Sequence, residues 1–372
     1  NMRVLELFSG IGGMHAAMME AEVKAGEIVA YDTSLICNKT YELNFIHSPA
    51  PLNRCAVRAK LVEQLEVEDL EGFDLWTMSP PCQPYSTTKA ANQRDDLDPR
   101  SQGLHHIIKL LLDVKNPPKW ILLENVKGFH GSKMQNKFLG AIEQRGFSWR
   151  QFLLNPIQVG IPNNRLRFYL LCERSARFSD RQGDLFTDVP ETSDQRAEAM
   201  NGESSKEERS VRRLREFLDE ELGPDDPQEL VTPASILEKP WARGLSYVGQ
   251  HDTTTFCFTG SYGKVYHKSS GSMLYMHADH ALAEVALDKE DMPRHIGRIR
   301  LFSPREILNL MGFPKGFKFP EGLQHGEHCL FLLTLLQGLT LRHKYKLVGN
   351  SINVTVVALL FKFLIPPSKD EQ

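Results

Sequence analysis

The six cysteines, at positions 37, 55, 82, 172, 257 and 329, form no CxxC pair, no Cys/His cluster and no metal-ligand spacing. That argues against a zinc site and against a disulfide framework, and scattered thiols suit a reducing intracellular compartment. No apolar run reaches the length needed to span a bilayer, and the first residues lack the charged and apolar regions of a signal peptide. Met2, after Asn1, reads as the natural start. No internal repeat is visible. Nor is there an excess of positive charge: 44 Lys and Arg stand against 47 Asp and Glu, a net −3. Any nucleic-acid partner must therefore be met by local patches, since the chain as a whole carries no basic footprint.

What is present is the composition of a globular protein, with 41% hydrophobic and 24% charged residues over 372 positions, enough for one large domain and a smaller one. Val4–Phe8, a segment ending at Asp32, Phe73–Met78, Trp120–Val126 and Arg165–Glu173 read as buried strands. Helical periodicity lies between them, at Leu104–Val114 and over NKFLGAIEQRGF. This alternation predicts an α/β fold, a doubly wound Rossmann-like sheet, with a second, smaller domain. From Arg174 to Leu230 there are 16 Asp and Glu against 9 Lys and Arg, with few aromatics, which reads as a solvated, partly disordered insert. Within it SVRRLREFLDEEL could make one amphipathic helix. The expected division is 1–173 plus 298–372 as the main domain, 174–230 as the insert and 231–297 as the small domain. SPREILNLMGFP and INVTVVALLFKFL are expected to be helices packed back on the main domain.

Five constellations can carry chemistry. LFSGIGG (Leu7–Gly13) is a glycine turn between strand and helix, with Asp32 22 positions after Gly10, where a carboxylate can accept from ribose hydroxyls. A partial GxGxxG leaves NAD, FAD and S-adenosylmethionine all open. In MSPPCQPYS, Pro80 and Pro81 fix the path of the chain out of a strand and hold Cys82 at its carboxyl end. LLENVKGF places Glu124 at the end of an apolar strand, where desolvation favours the protonated carboxyl, able to donate to a ring nitrogen. In NNRLRFYLL, Arg165 and Arg167 alternate and so share one strand face, aimed at a common site. A fifth, the polar turn VGNSINVTVV, precedes an apolar helix. Its Ser351 and Asn353 suit helix capping, and the alternative is a turn that closes over a bound amino-acid moiety.

Together and in this order, these motifs resemble the cytosine-C5 methyltransferases: Phe8–Gly13, Pro81–Cys82, Glu124–Val126, Arg165–Arg167 and Gly349–Ser351. The resemblance covers Val4 to Glu173 and Arg298 to Leu364. It implies S-adenosylmethionine as cofactor, bound by Phe8, Gly10, Ile11, Gly12, Gly13, Asp32, the Ala56–Val57 region, Ser79, Asn350 and Ser351. It implies Cys82 as covalent nucleophile, Glu124 on the cytosine ring nitrogen and amine, and Arg165 and Arg167 orienting cysteine and base.

Within that family PPCQPY, ENVKGF, GIPNNRLR and the Cys257-Phe258-Thr259 tripeptide are similar to the eukaryotic group historically named DNA methyltransferase two. The implied substrate is tRNA, at the anticodon-loop cytosine of tRNA-Asp. A single-stranded loop base is cheaper to splay into a pocket than a paired one. Lys89, Arg94 and Arg100 after the nucleophile, and Lys119, Lys127, Lys133 and Lys137 around Glu124, are the candidate phosphate contacts. Cytoplasm, with the nucleus as second compartment, is the expected location, with no membrane and no metal. The nearest rival is a DNA cytosine-C5 methyltransferase. The others are a binding protein that has lost turnover and a Rossmann-type oxidoreductase with a redox cysteine. HGEHCLFLLTLLQG (325–338) departs from the family pattern and carries no assignment.

Overall fold

The computed structural model describes residues 2–47, 54–85, 95–191, 210–219, 228–267, 271–276, 287–321 and 338–366. The chain divides into two units, one of 1–154, 166–206 and 354–372 and the other of 155–165 and 207–353.

The first unit is built on eight strands: β1 (Met2–Leu7), β2 (Ala25–Asp32), β3 (Cys55–Ala59), β4 (Leu75–Met78), β5 (Trp120–Val126), β6 (Ser148–Leu154), β7 (Arg167–Glu173) and β8 (Leu185–Phe186). They form one sheet in the order β3-β2-β1-β4-β5-β7-β6-β8. β3 to β5 are parallel, β7 runs antiparallel to β5 and β6, and β8 is parallel to β6. The chain winds outward from β1 through β2 to β3, then returns to lay β4 on the other side of β1. Between β1 and β4 the strand order therefore reverses, the point at whose carboxyl ends open α/β sheets bind ligands. The register sets Leu7 beside Tyr31 and Met78, and Met78 beside Leu123, so the loops leaving these strands emerge side by side.

Period-2 alternation sends Leu5, Leu7, Trp76, Met78, Ile121, Leu123, Phe168 and Leu170 into one core. Leu104, Ile107 and Leu111 of a helix at Gln102–Asp113 and Phe138 and Ile142 of another at Lys133–Gln144 complete it. Each such side chain contributes roughly 1.5–3 kcal/mol by burial. Helix α1 (Gly13–Glu20) packs against the C-terminal helix Val354–Leu364, the placement expected of INVTVVALLFKFL.

Three expectations are corrected here. The acidic segment is not uniformly solvated: 174–191 belong to the first unit, with Phe178 buried and Phe186 adding β8 to the sheet edge. These aromatics anchor it despite the surrounding acid. SVRRLREFLDEEL shows a short 3-10 turn at Leu214–Glu216 instead of an amphipathic helix, its amides donating to the carbonyls of Gln250 and Asp252. Residues 192–209 and 220–227 lie outside the described ones. Third, the helix Pro304–Leu310 belongs to the second unit. Its Ser303/Glu306 capping box shares Glu306 with Arg300 in a buried bidentate pair at 2.7 and 2.8 Å.

The second unit has a three-stranded sheet, Ile299–Leu301 beside Met273–Tyr275 beside Tyr247–Val248, and an aromatic core of Phe258, Tyr262, Phe302 and Tyr345 with ring centroids 5.0–5.2 Å apart in successive pairs. The 24-residue stretch Leu341–Leu364 would be long and apolar enough to cross a membrane, but 72% of its most apolar part is buried and it breaks at 350–353 into two helices, as core helices do.

Candidate active site

The glycine loop after β1 is shaped by left-handed backbone at Phe8, Gly10 and Gly12 (φ 55, 53 and 86°), the last being the N-cap of α1. Asp32, ending β2, accepts from the Gly10 amide at 2.9 Å through one oxygen and from the Ser34 amide at 2.8 Å through the other. It thus ties the two loops together, a role that spacing alone did not suggest, while keeping lone pairs for further donors. A Cβ at Gly10 would meet open space, whereas one at Gly12 would sit 2.3 Å from the Phe45 ring. Phe45 lies on a π-helical turn, Glu42–Ile46, and stacks on His15 at 4.2 Å. His15 Nδ1 is 2.8 Å from the Tyr41 hydroxyl, which donates to Glu6 at 2.9 Å. Burial pushes the Glu6 carboxyl up to about 8, His15 down to about 3 and the Cys55 thiol up to about 12. The one hint of this network in the sequence is an acid inside an apolar strand. Ala56 and Val57 are level with Val29 and Ala30, part-way along β3. The residue level with Asp32 is Ala59, so the expected Ala56–Val57 contact falls short of the strand's carboxyl end.

On the other side of the switch point, Ser79 Oγ donates to the Phe8 carbonyl at 3.3 Å, linking the turn after β4 to the glycine loop. Asn125 Nδ2, buried, donates to the Pro80 carbonyl at 3.1 Å and so holds the turn that presents the half-buried Cys82. Cys82 starts a 3-10 turn, with the Tyr85 amide bonded to its carbonyl. Tyr85 packs edge-on to Phe129 at 5.0 Å, and a Cβ at Gly128 would lie 2.0 Å from the Tyr85 carbonyl. The ENVKGF and PPCQPY segments are therefore one packed piece. Neither Asn125 nor Gly128 was assigned a role by sequence reasoning.

Glu124, 8% exposed, is near the end of β5, and the Arg167 Nε is 3.5 Å from its Oε1. These two do come together. The basic cluster around them does not: Lys119 lies at the amino end of β5 over the Trp120 ring, and Lys137 and Arg100 are paired to Asp96 and Asp98. Lys127 is exposed, next to Val126; Lys89 and Arg94 lie outside the described residues.

The paired-arginine expectation is also corrected. β7 begins at Arg167, and Arg165 is in the second unit, before the strand. There it is 3% exposed, donating to the carbonyls of Phe258 (2.9 Å), Gly349 (3.3 Å) and Ser351 and to Cys257 Sγ (3.4 Å). Arg165 thus clasps the Cys-Phe-Thr and Gly-Asn-Ser segments together. Phe258, expected at the substrate, is instead buried in the aromatic core; Cys257 is half-buried, and Thr259 bonds Ser261 at 3.1 Å. A Cβ at Gly349 would come within 2.2 Å of the Thr259 backbone, so that glycine permits a backbone-to-backbone approach. Asn350 is exposed and Ser351 half-buried. Among the described residues no group of His, Cys, Asp or Glu is placed to hold a metal.

A family model described as C-5 cytosine-specific DNA methylase matches residues 2–365. The chain belongs to that family. It is 32% identical to the tRNA (cytosine(38)-C(5))-methyltransferase of Bos taurus, over 98% of this chain and 99% of that one. It is 31% identical to a DNA (cytosine-5)-methyltransferase of Dictyostelium discoideum, over 99% and 96%. The crystal structure of the S. pombe Dnmt2 methyltransferase superposes with a TM-score of 0.72 at 29% identity, covering 98% of both chains.

Proposed function

We propose that the chain transfers a methyl group from S-adenosylmethionine to carbon 5 of a cytosine in RNA, with the anticodon loop of tRNA-Asp as the site. The observation that carries the chemistry is the presentation of Cys82: a thiol at the carboxyl end of β4, on a turn held by Asn125 through Pro80 and joined by Ser79 to the glycine loop. The first unit fits the cofactor. Gly10 leaves open space on its Cβ side, the N-cap of α1 has no side-chain cap, and the Asp32 carboxylate stands beside both. An uncapped helix N-terminus suits the amino-acid carboxylate and Asp32 the ribose hydroxyls. The cofactor supplies an electrophilic methyl group.

Carbon 5 of cytosine is a poor nucleophile. The Cys82 thiolate, adding to carbon 6, forms an S–C6 bond and makes carbon 5 an enamine carbon that takes the methyl. Loss of the carbon-5 proton and cleavage of the S–C6 bond then release 5-methylcytosine and the thiolate. Glu124, with Arg167 beside it, would bind the ring nitrogen and exocyclic amine. Arg165 acts on the fold of the second unit by way of its three carbonyls. The preset turn spares the entropy of positioning the sulfur.

The RNA reading rests on the Bos taurus relative and on PPCQPY, ENVKGF and the Cys257–Thr259 tripeptide. The Dictyostelium relative keeps DNA as a second reading. Labelled methyl transfer to total RNA and to genomic DNA separates them. Label in tRNA-Asp at an anticodon-loop cytosine is expected; label confined to DNA would replace this reading with the second.

A further inference from the structure

Within the second unit a cavity of about 180 Å³ opens beside the Cys257–Thr259 segment. It is smaller than the ~300–1,000 Å³ of sites for whole small molecules. Its walls include Phe256, Tyr266 and His267, and its floor is Tyr262. Phe256 is unusual: the residue is 57% exposed, yet its backbone is pinned at both ends. Its amide donates to Ser272 Oγ at 2.9 Å, and its carbonyl accepts from Asn163 Nδ2 at 3.2 Å. His267 is backed by Trp241 at 5.1 Å. Gly271, at φ 124°, lets the Tyr262 ring lie where a Cβ would be only 2.5 Å away, which keeps the floor in place. Ser246 brings a hydroxyl to the wall, bonded to Ser272 Oγ at 2.7 Å.

A solvent-facing aromatic on a rigid backbone loses little entropy when something stacks on it, and a cavity of one-ring size with a hydroxyl and an imidazole in its wall suits a flat heterocycle. The surroundings supply charge. Lys264, exposed and in no ion pair among the described residues, follows the wall residue Gly263; Arg243, next to Gly244, is held by Glu290 only loosely, at 3.8 Å. Rings with a cationic rim fit one base of a single strand, flanked by its phosphates.

We propose that this cavity binds one unpaired nucleobase of the RNA substrate, stacked on Phe256, with Lys264 on an adjacent phosphate. This base is a different one from the cytosine that is methylated. The inference rests on the RNA reading above. Its test uses the full chain and a synthetic tRNA-Asp anticodon stem–loop, plus a set of the same RNA each lacking one loop base. Stacking of one base is worth about 1–3 kcal/mol, so Phe256→Ala should weaken stem–loop binding about five- to 150-fold. Phe256→Trp should restore it, and the denaturant unfolding midpoint should be unchanged in both, reporting an intact fold. One abasic position, away from the methylated cytosine, should weaken wild type by a similar factor and leave Phe256→Ala no weaker than before. Equal binding by wild type and Phe256→Ala would overturn the proposal, as would additive losses at every abasic position. Wild type that methylates no RNA would overturn the reading beneath it instead.

Discussion

Glu6 is a fully buried acid whose Oε2 takes the Tyr41 hydroxyl, with the His15 backbone amide also bonding its carboxyl. The groups facing it are Tyr41 and His15 on two helices, Asp32 on β2 and Cys55 on β3. Its carboxyl, pushed to about 8 from 4.5, stays protonated in the fold when the unfolded chain has already lost the proton. The folded state therefore binds more protons between those values, and stability falls as pH rises through them. His15, lowered from 6.5 to about 3, acts in the opposite sense: the unfolded chain takes the proton, and stability is lost as pH falls below 6.5. The two oppose each other below pH 6.5 and Glu6 acts alone above it. Denaturant unfolding should show wild type losing on the order of 1–2 kcal/mol between pH 6.5 and 8 relative to Glu6→Gln. Parallel curves for the two proteins would remove Glu6 from this role. At Cys82 the expectation is separate. Cys82→Ala should lower methyl transfer to below a few per cent of wild type while S-adenosylhomocysteine affinity by calorimetry holds, because the thiol acts on the base. Retained turnover would end its assignment as nucleophile.

At the scale of elements, β1, β2, β4, β5 and the glycine and Pro-Cys turns were legible because uninterrupted apolar runs end at glycine or proline. β3 and β6 were not, since Cys55–Ala59 is half exposed at the sheet edge and Ser148–Leu154 interleaves Arg150 and Gln151 with its apolar residues. Alternation in RLRFYLL carried the strand two residues too far. Its start is set from a distance, by Asn163 bonding Thr255 and by Arg165 bonding Phe258, contacts some ninety positions away that no local pattern encodes. The same holds for the packing of ENVKGF on PPCQPY. Gly128→Ala would press a methyl group against the Tyr85 carbonyl, and backbone cannot swing aside as a flexible side chain would. It should displace the turn carrying Cys82, lowering kcat at least tenfold with cofactor affinity retained. Equal losses of kcat and cofactor binding would point to general unfolding. In the second unit the Arg300–Glu306 pair is buried at 5 and 0% exposure. Glu306→Ala leaves a guanidinium stranded and should cost about 3–5 kcal/mol, read as a lower denaturation midpoint.

Over the whole molecule, the alternation of strands and helices indicated an α/β protein and the length allowed two parts, but neither told where they divide. Residues 155–165 and the helix Pro304–Leu310 join the second unit through tertiary hydrogen bonds, and Phe178 and Phe186 tie part of the acidic segment to the first. The net −3 charge means that affinity for RNA must come from local groups, so binding should weaken with salt by only a few phosphate contacts' worth. The central claim is a covalent bond between Cys82 and carbon 6 of a cytosine in RNA. It is tested most directly with a tRNA-Asp stem–loop carrying 5-fluorocytosine at the target position. There the methylated adduct has no carbon-5 proton to lose, so Cys82 cannot leave. A denaturation-resistant protein–RNA complex is expected, one that needs S-adenosylmethionine, maps to the peptide containing Cys82 and is absent from Cys82→Ala. A trapped complex at another residue, or efficient methylation of ordinary stem–loop with no trapping of the fluorinated one, would contradict it.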